Sequence, residues 1–268
     1  MAQIIFTADD FGLCGEVNEA IEQAARDGVL STASLMVGAP SAADAIARAK
    51  RLPHLRVGLH LTLVDGRPVL PARDIPTLVD ETGAFETNLP KAGMRWFFLP
   101  AARCELRKEI EAQFAAFKAT GLALDHVNAH NHMHIHPTVF DMILEIGPAY
   151  GMKALRLPSE PPDGLLALFL SAMRKKLKAR GYRFNDRLVG LRRSGSVTED
   201  AVLAGLESLG DGVTEFYFHP AIAATTELNA LAPGYDRTGE LAALLSPRVR
   251  DRLATLGIKT KGFKDLDV

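Results

Sequence analysis

The chain has 268 residues, of which 47% are hydrophobic and 24% are charged, as is ordinary for a soluble globular protein. Its formal net charge of −1 gives no reason to expect nucleic-acid binding, which usually depends on a basic patch or stripe. No apolar run reaches the roughly 18 residues of a membrane span, and "MAQIIFTADD" lacks the features of a signal peptide. Cys14 and Cys104 match no metal or redox spacing, which indicates reduced thiols in a cytoplasmic protein.

Strand-like runs alternate with helical patterns along most of the chain. "QIIFTADD" predicts a buried first strand, and "EVNEAIEQAARDGV" predicts a helix that ends at Gly28. Further strands are predicted in "STASLMVGAP", "RVGLHLTLV", "LALDHVNAHNHMHI", "KALRLP", "TEFYFHPA" and "GIKTKGF". Further helices are predicted in "AADAIARAKRL", "ARCELRKEIEAQFAAFKATG" and "PTVFDMILEIGPAYG".

This order of strand and helix predicts a parallel sheet with helical crossovers, within the α/β class. The number of units favours a distorted (β/α) barrel over an open doubly wound sheet. We expect a single domain over residues 1–268. Residues 65–100 fit the repeat poorly, and we expect them to form a long insertion, which in a compact domain is often functional.

Residue types that bind metals occur where several predicted strands end. Asp9 and Asp10 end the first strand, His60 lies in "GLHLTL", His130 lies in the histidine-rich strand, and His219 lies in "FYFHPA". In (β/α) barrels the active site lies at the carboxyl ends of the strands. No local motif such as H-E-x-x-H is present, so the fold would have to assemble the site.

Five of the eight histidines occur in "DHVNAHNHMHIHP", residues 125–137, and all five have even numbers. While the segment stays extended, even-numbered side chains share one face of the strand. That face would carry His126, Asn128, His130, His132, His134 and His136. It would be about 17 Å long, so one metal ion can take only one or two of these histidines as ligands. We expect the others to orient ligands, line a pocket or transfer protons; the alternative is a solvated strand face.

The acidic pair and the two isolated histidines each have a structural alternative. Asp9 and Asp10 could cap the next helix, or one carboxylate could bind a cation while the other activates water. His60 stands in an otherwise apolar run, where a buried imidazole needs a hydrogen-bond partner or a metal. His219 suits a general acid, and an isolated histidine without function is an equal alternative.

The motifs "TADDFG", "STASLMV", "GLHLTL", "DHVNAHNHMHIHP" and "FYFHP" together resemble the YdjC-like family, the ChbG-type carbohydrate deacetylases. They follow the family's order and cover most of the chain. The histidine motif is similar to that of the hopanoid-biosynthesis branch, HpnK. The resemblance implies a distorted (β/α) barrel, one divalent metal ion (zinc or magnesium), and removal of an acetyl group from an N-acetylated amino sugar.

The resemblance also implies roles for residues at matching positions. It implies metal ligands at Asp10, His60 and His130, a catalytic base at Asp9, and a general acid at His219 or His132. Substrate-binding or supporting positions are expected at His132, His134, Asn128 and Arg156. Arg156 would orient Asp9 or the substrate, with a surface salt bridge as the alternative. Two positions depart from the family pattern, since Asn128 replaces the usual Asp and Cys14 a frequent Ser.

The substrate implied by the hopanoid branch is an N-acetylglucosaminyl hopanoid, a sugar linked to a lipid. Residues 164–181, "GLLALFLSAMRKKLKARG", have a basic amphipathic pattern that suits peripheral contact with an inner membrane. Together with Trp96, Phe97 and Phe98 they could take the lipid; a helix packed on the barrel is the favoured alternative. Competing functions are a chitooligosaccharide deacetylase, a metal-dependent phosphoesterase, and a non-catalytic metal- or sugar-binding protein. A homodimer is the default assembly.

Overall fold

The computed structural model describes residues 2–160, 164 and 166–267, and its centre is one six-stranded sheet. The strands are β1 Ala2–Phe11, β2 Thr32–Leu35, β3 Arg56–Leu61, β4 Leu124–Ala129, β5 Arg187–Val189 and β6 Gly212–Phe218. Their order across the sheet is β4-β3-β2-β1-β6-β5, and every pairing is parallel. The predicted parallel sheet is therefore confirmed, and all six strands direct their carboxyl ends to one side of the molecule.

Helices precede or follow each strand and cover the outside of the sheet. In the described residues they are α1 Gly15–Asp27, α2 Ala42–Arg51, α3 Leu89–Phe98, α4 Pro100–Ala119, α5 Pro137–Ile146, α6 Leu166–Ala179, α7 Glu199–Glu207, α8 Thr226–Leu231, α9 Arg237–Leu245 and α10 Pro247–Thr255. As predicted, α1 buries Val17, Ile21 and Ala24 and has Gly28 at its carboxyl-terminal cap. A Cβ atom at Gly28 would collide with the carbonyl oxygen of Leu244, so only glycine fits there.

The sheet curls towards a barrel, and residues 153–157 span the gap between β4 and β5. The Val127 N–H donates to the Ala154 carbonyl at 3.1 Å, and the Arg156 N–H donates to the Val127 carbonyl at 3.0 Å. On the other side, the Leu155 N–H donates to the carbonyl of Arg183 at 3.0 Å. These bridges confirm the predicted distorted (β/α) barrel.

The predicted strand "KALRLP" consists of isolated bridges, and this prediction was wrong in detail. The backbone of Leu157 forms its hydrogen bonds with a side chain and not with a neighbouring strand. Its N–H donates to the Asn185 amide oxygen and its C=O accepts from the Asn185 amide nitrogen, both at 2.7 Å. Pro158 follows and has no N–H to extend a ladder. The irregularity brings Arg156 to the inside of the barrel, where it is fully buried.

The predicted last strand "GIKTKGF" was also wrong. Only Thr260 bridges to β1, and the chain then turns into a 3₁₀ segment over Phe263–Asp265. The Asp125 carboxylate accepts the N–H groups of Phe263 and Lys264 at 3.1 and 2.9 Å, which favours this turn over an extended strand. Phe263 is buried beside Ile5, so the turn closes the amino end of the barrel.

The segment over residues 65–100 contains a 3₁₀ turn at Ala72–Asp74, an antiparallel bridge between Val79 and Phe85, and α3. In α3 the indole of Trp96 is buried, whereas Phe97 and Phe98 are exposed.

Helix α6 covers most of the predicted amphipathic stretch 164–181. Leu170, Met173 and Leu177 are buried against the barrel, and Leu168 is 82% exposed. Leu165, which was part of the predicted apolar set, lies outside the described residues. Within the part of the chain that the structure describes, no helix is long and apolar enough to cross a membrane.

Candidate active site

A cavity of about 270 Å³ lies at the carboxyl ends of the strands. Six of the nine predicted site residues line it, namely Asp9, Asp10, His60, His130, His132 and His219. The other three, Asn128, His134 and Arg156, are fully buried behind it and do not line it. The fold therefore brings all nine together, in two layers.

A bulge in β1 explains how two successive carboxylates reach one cavity. Neighbouring residues of a regular strand point to opposite faces. Here the register with β2 shifts between Ala8 and Phe11, and Asp10 adopts a left-handed backbone with a φ of 63°. Such bulges often re-aim side chains beside active sites. Helix α1 has Cys14 as its amino-terminal cap residue, so the alternative that the acidic pair caps this helix was wrong.

Asp10, His60 and His130 form a compact group, with ligand atoms all within 4.8 Å of one another. Asp10 Oδ1 lies 3.5 Å from His60 Nε2 and 3.1 Å from His130 Nδ1. Burial would lower the pKa of His130, but the Asp10 carboxylate outweighs it and raises that pKa. Burial would raise the pKa of Asp10, yet the neighbouring His130 imidazole holds it well below its usual value. The group therefore keeps an ionised carboxylate between two ring nitrogens.

The Asn128 amide fixes the orientation of His60. Asn128 Nδ2 donates to Asp9 Oδ1 at 3.1 Å and to Ser34 Oγ at 3.0 Å. These two bonds leave the amide oxygen to accept from His60 Nδ1 at 2.7 Å. With its proton on Nδ1, the His60 ring presents the lone pair of Nε2 towards Asp10. A ring N–H held by a carbonyl is the usual support of a metal-binding histidine.

A buried ion-pair network holds Asp9. Arg156 donates to both carboxylate oxygens of Asp9, at 2.5 and 3.0 Å, and also to Glu215 Oε1 at 2.7 Å. Thr7 donates to the same Glu215 oxygen. Burial would raise the pKa of Asp9, but the adjacent guanidinium lowers it far below the usual range. Arg156 thus contacts Asp9 and is completely buried, so the alternative of a surface salt bridge was wrong.

The predicted single face of histidines was wrong. Strand β4 ends at Ala129, and the chain continues as 3₁₀ turns over His130–Ile135. Asn131 and His132 have φ values of 52° and 53°, in the left-handed region that non-glycine residues rarely adopt. These two residues break the alternation of faces on which the prediction depended.

The histidines consequently have different surroundings. His126 lies in the sheet below the cavity and is 3.1 Å from Ser34 Oγ. His134 accepts the N–H of Ala129 through Nδ1 and stabilises the turn. His136 leaves the cavity and packs on an aromatic ring of α3. Only His130 and His132 of the five line the cavity.

His132 and His219 are neutral imidazoles at rest. Burial, reinforced by the Arg156 charge, lowers the pKa of His132 to about 3. Burial lowers the pKa of His219 to about 4, despite the nearby Asp10 carboxylate. His132 Nε2 lies 3.3 Å from the Tyr217 hydroxyl. The Nδ1 atom of each ring is buried without a hydrogen-bond partner among the described residues.

Six further polar residues line the cavity and were missed by the sequence analysis: Asp65, Asn131, Ser194, Tyr217, Tyr235 and Arg237. Asp65 directly follows the apolar "LTLV" at the end of β3, a position at which a polar residue could have been noted. Tyr217 lies in the "FYFHP" motif, from which the sequence analysis had taken only His219 as a site residue. Arg237 Nη1 lies 3.8 Å from Asp10 Oδ2, and no local pattern signals this contact between distant parts of the chain.

This fold and site define an α/β-barrel protein with a buried carboxylate–imidazole group that could hold a metal ion. The chain belongs to the YdjC-like family, because the model of that family, described as YdjC-like protein, matches residues 3–255.

Two full-length relatives agree with this assignment, and one solved structure shares the fold. A carbohydrate deacetylase of Geobacillus stearothermophilus is 31% identical over 262 residues, covering 97% of this chain and 96% of the relative. A carbohydrate deacetylase of Mus musculus is 30% identical over 298 residues, covering 99% of this chain and 95% of the relative. A crystal structure from Enterococcus faecalis V583, of a protein named for cellobiose-phosphate cleavage, superposes with a TM-score of 0.82. It is 24% identical and covers 99% of both chains, and it supports the fold alone.

Proposed function

We propose that the chain is a metal-dependent carbohydrate N-deacetylase, which hydrolyses an N-acetylated amino sugar to acetate and a free amine. The observation that carries the proposal is the compact group of Asp10, His60 and His130 beside the ionised Asp9, on the wall of one cavity. The name carbohydrate deacetylase, which the full-length relatives of the chain carry, supports the same reaction.

The donor set fits one divalent metal ion. Asp10, His60 and His130 would hold it, and His60 already has the supporting hydrogen bond that metal-binding histidines need. When bound, such an ion would polarise the acetyl carbonyl and lower the pKa of water. Two imidazoles and one carboxylate suit zinc, whereas magnesium prefers oxygen ligands. We therefore propose zinc.

Asp9 is proposed as the base. Its carboxylate stays ionised, and Arg156 and Asn128 fix both of its oxygens from behind the cavity. A carboxylate of such low basicity is a weak base by itself, so it would orient a water molecule and accept its proton once a bound metal ion lowers the pKa of that water. Arg156 does not line the cavity, so it acts on the reaction through Asp9 and does not touch the substrate.

His219 is proposed as the group that passes a proton to the leaving amine. Because its imidazole is neutral at rest, it would first take up the proton that Asp9 removes from water. It follows β6, so it reaches the cavity from a different strand than Asp9. His132 is the alternative, but its Nε2 faces the Tyr217 hydroxyl, which suggests a role in shaping the cavity. Comparing His219→Gln with His132→Gln at equal metal content separates the two.

For the substrate we propose an N-acetylglucosaminyl hopanoid, on the strength of the resemblance of the histidine motif to the hopanoid branch. We also propose that the protein touches the membrane that carries such a lipid. The exposed Phe97, Phe98 and Leu168 support this contact. Liposome sedimentation without binding, with or without anionic lipid, would remove the membrane proposal.

The test is acetate release from a lipid-linked and a soluble N-acetylglucosaminyl substrate, using metal-stripped protein with zinc restored. We expect release that needs the metal, and an Asp9→Asn variant that keeps its metal but loses activity by about 10²–10⁴-fold. Asp125→Asn is the matched control, because Asp125 is equally buried but closes the opposite end of the barrel. This control should lose stability and keep its activity per folded molecule.

Three results would each contradict one part of the proposal. Hydrolysis of phosphate esters without acetate release would indicate a phosphoesterase. Release from diacetylchitobiose, with none from the lipid-linked sugar, would move the substrate to soluble oligosaccharides. An Asp9→Asn variant that loses metal and activity together would make Asp9 a ligand instead of the base.

A further inference from the structure

A second cavity adjoins the first at the carboxyl ends of the strands. Its volume is about 460 Å³, against about 270 Å³ for the first. The two cavities share four lining residues, Leu13, Met36, Asp65 and Leu231. The two cavities therefore lie side by side, and the shared residues form the boundary between them. The first alone lies below the range of about 300–1,000 Å³ that is usual for small-ligand sites.

The walls of the second cavity are mainly aliphatic. The apolar side chains that line it are Leu13, Met36, Ala39, Pro40, Leu228 and Leu231. Among the residues that the structure describes, no aromatic ring lines it. Four charged residues also line it: Arg67 and Glu227, which are exposed, and Glu16 and Asp65, which are half-buried.

This composition discriminates between two kinds of occupant. The hydroxyl groups of a second sugar would lie against aliphatic walls, where unpaired polar groups cost free energy. An aliphatic group would instead gain from burial, by about 0.8 kcal/mol for each methylene removed from water. The first cavity is more polar, since carboxylates, imidazoles and tyrosines line much of it.

Leu231 lies where the two cavities meet. It ends the short helix α8 and is 49% exposed, although it lines both cavities. Met36, on the shared wall, is almost completely buried. An apolar group that passes from one cavity to the other would cover the exposed part of Leu231.

We propose that the second cavity binds an aliphatic group attached to the amino sugar, while the sugar with its acetamide occupies the first cavity. The inference rests on the proposed deacetylase function and adds the place at which the non-sugar part of the substrate is recognised. Specificity then depends on Leu13, Ala39, Leu228 and Leu231, none of which is one of the predicted catalytic or metal-binding residues.

The test compares methyl and octyl N-acetylglucosaminides, both below the concentration at which the octyl compound forms micelles. Each buried methylene should raise kcat/KM about fourfold, so burial of only part of the chain predicts at least a tenfold preference for the octyl compound. The zinc-loaded wild-type protein is used, and acetate is measured. Diacetylchitobiose serves as the third substrate and should be no better than the methyl compound.

An Ala39→Glu variant places a charge inside the second cavity. Ala39 is only half-buried, so the larger side chain should not prevent folding. The octyl-to-methyl ratio of kcat/KM should fall at least fivefold. Ala101→Glu is the matched control, because Ala101 is exposed on α4 and lines neither cavity. This control should keep the wild-type ratio.

The outcomes separate the inference from the function on which it rests. Equal kcat/KM for methyl and octyl compounds would overturn the aliphatic subsite and leave the deacetylase intact. A strong preference for diacetylchitobiose would overturn it in favour of a second sugar. An unchanged ratio in Ala39→Glu would also contradict it. Release of acetate from none of the substrates would remove the proposed function and the subsite together.

Discussion

Asn128 links the two groups on which the proposed chemistry depends. Its amide donates to Asp9 and accepts from His60, so one side chain orients both a carboxylate and an imidazole. An aspartate here, as is usual in the family that the motifs resemble, would place a second carboxylate about 3 Å from Asp9 in a buried site, where like charges repel. The neutral amide avoids that repulsion and still holds the His60 ring.

We predict that Asn128→Ala lowers zinc affinity by about 10–100-fold, because His60 loses the acceptor that fixes its tautomer. The measurement is competition with a chelator of known affinity. Asn185→Ala is the matched control, since it removes a buried amide that bonds to the backbone of Leu157, away from the metal-binding group. Equal loss of zinc affinity in the two variants would contradict this role of Asn128.

The sequence alone pointed to some of the candidate site residues but not to others. Asp10, His60 and His130 could be proposed because they belong to motifs and stand near predicted strand ends. Arg156 could be proposed as a partner of Asp9, but Glu215 could not, because it meets Arg156 only through the curl of the barrel, 59 residues apart. Nothing in the local sequence of Glu215 separates it from an ordinary strand residue.

At the level of elements, helix α4 fixes the segment that follows β3. The buried Glu109 carboxylate accepts the N–H groups of Val69 and Leu70, at 2.8 and 3.0 Å. The same segment carries Asp65, which lines both cavities. The segment over residues 65–100 is therefore attached to the barrel close to the cavities.

We predict that Glu109→Ala costs about 1–3 kcal/mol of the free energy of unfolding, because two backbone N–H groups lose their acceptor. Hydrogen exchange should accelerate at Val69 and Leu70. Glu105→Ala, one turn earlier on α4, is the control, because Glu105 accepts from Thr77. Its effect should be confined to Thr77. Unchanged exchange at Val69 and Leu70 in Glu109→Ala would refute the prediction.

The sequence predicted the type and order of most elements but not their irregularities. The apolar run of "QIIFTADD" predicts a buried regular strand, and the bulge at Asp10 is visible only in the register with β2. The histidine-rich segment has the alternation of a strand, yet left-handed residues at Asn131 and His132 end it. Both departures occur where side chains are directed into the cavity, so local patterning fails at the candidate site.

For the whole molecule, Glu240 couples stability to pH. Burial raises its pKa to about 7, although its carboxylate accepts the N–H groups of His219 and Val197. In an unfolded chain a glutamate titrates near about 4.3. Between these values the unfolded state loses the proton that the folded state keeps. The contribution of Glu240 to stability is therefore complete below about pH 4 and is lost as the pH rises through about 7.

We predict that Glu240→Gln flattens the dependence of the free energy of unfolding on pH between about 4.5 and 7. One proton corresponds to a slope of at most about 1.4 kcal/mol per pH unit. Denaturant unfolding at several pH values, with wild type and variant side by side, measures the difference. Parallel curves for the two proteins would mean that Glu240 does not titrate in this window.

The most direct measurement is acetate release as a function of zinc bound per chain, starting from metal-stripped protein. If Asp10, His60 and His130 hold the ion that deacetylation requires, activity will rise in proportion to bound zinc and level off at one zinc per chain. His60→Gln, which removes one donor, should need far more zinc for the same activity. Full activity in protein without bound metal, or activity unrelated to zinc occupancy, would contradict the metal-dependent deacetylase.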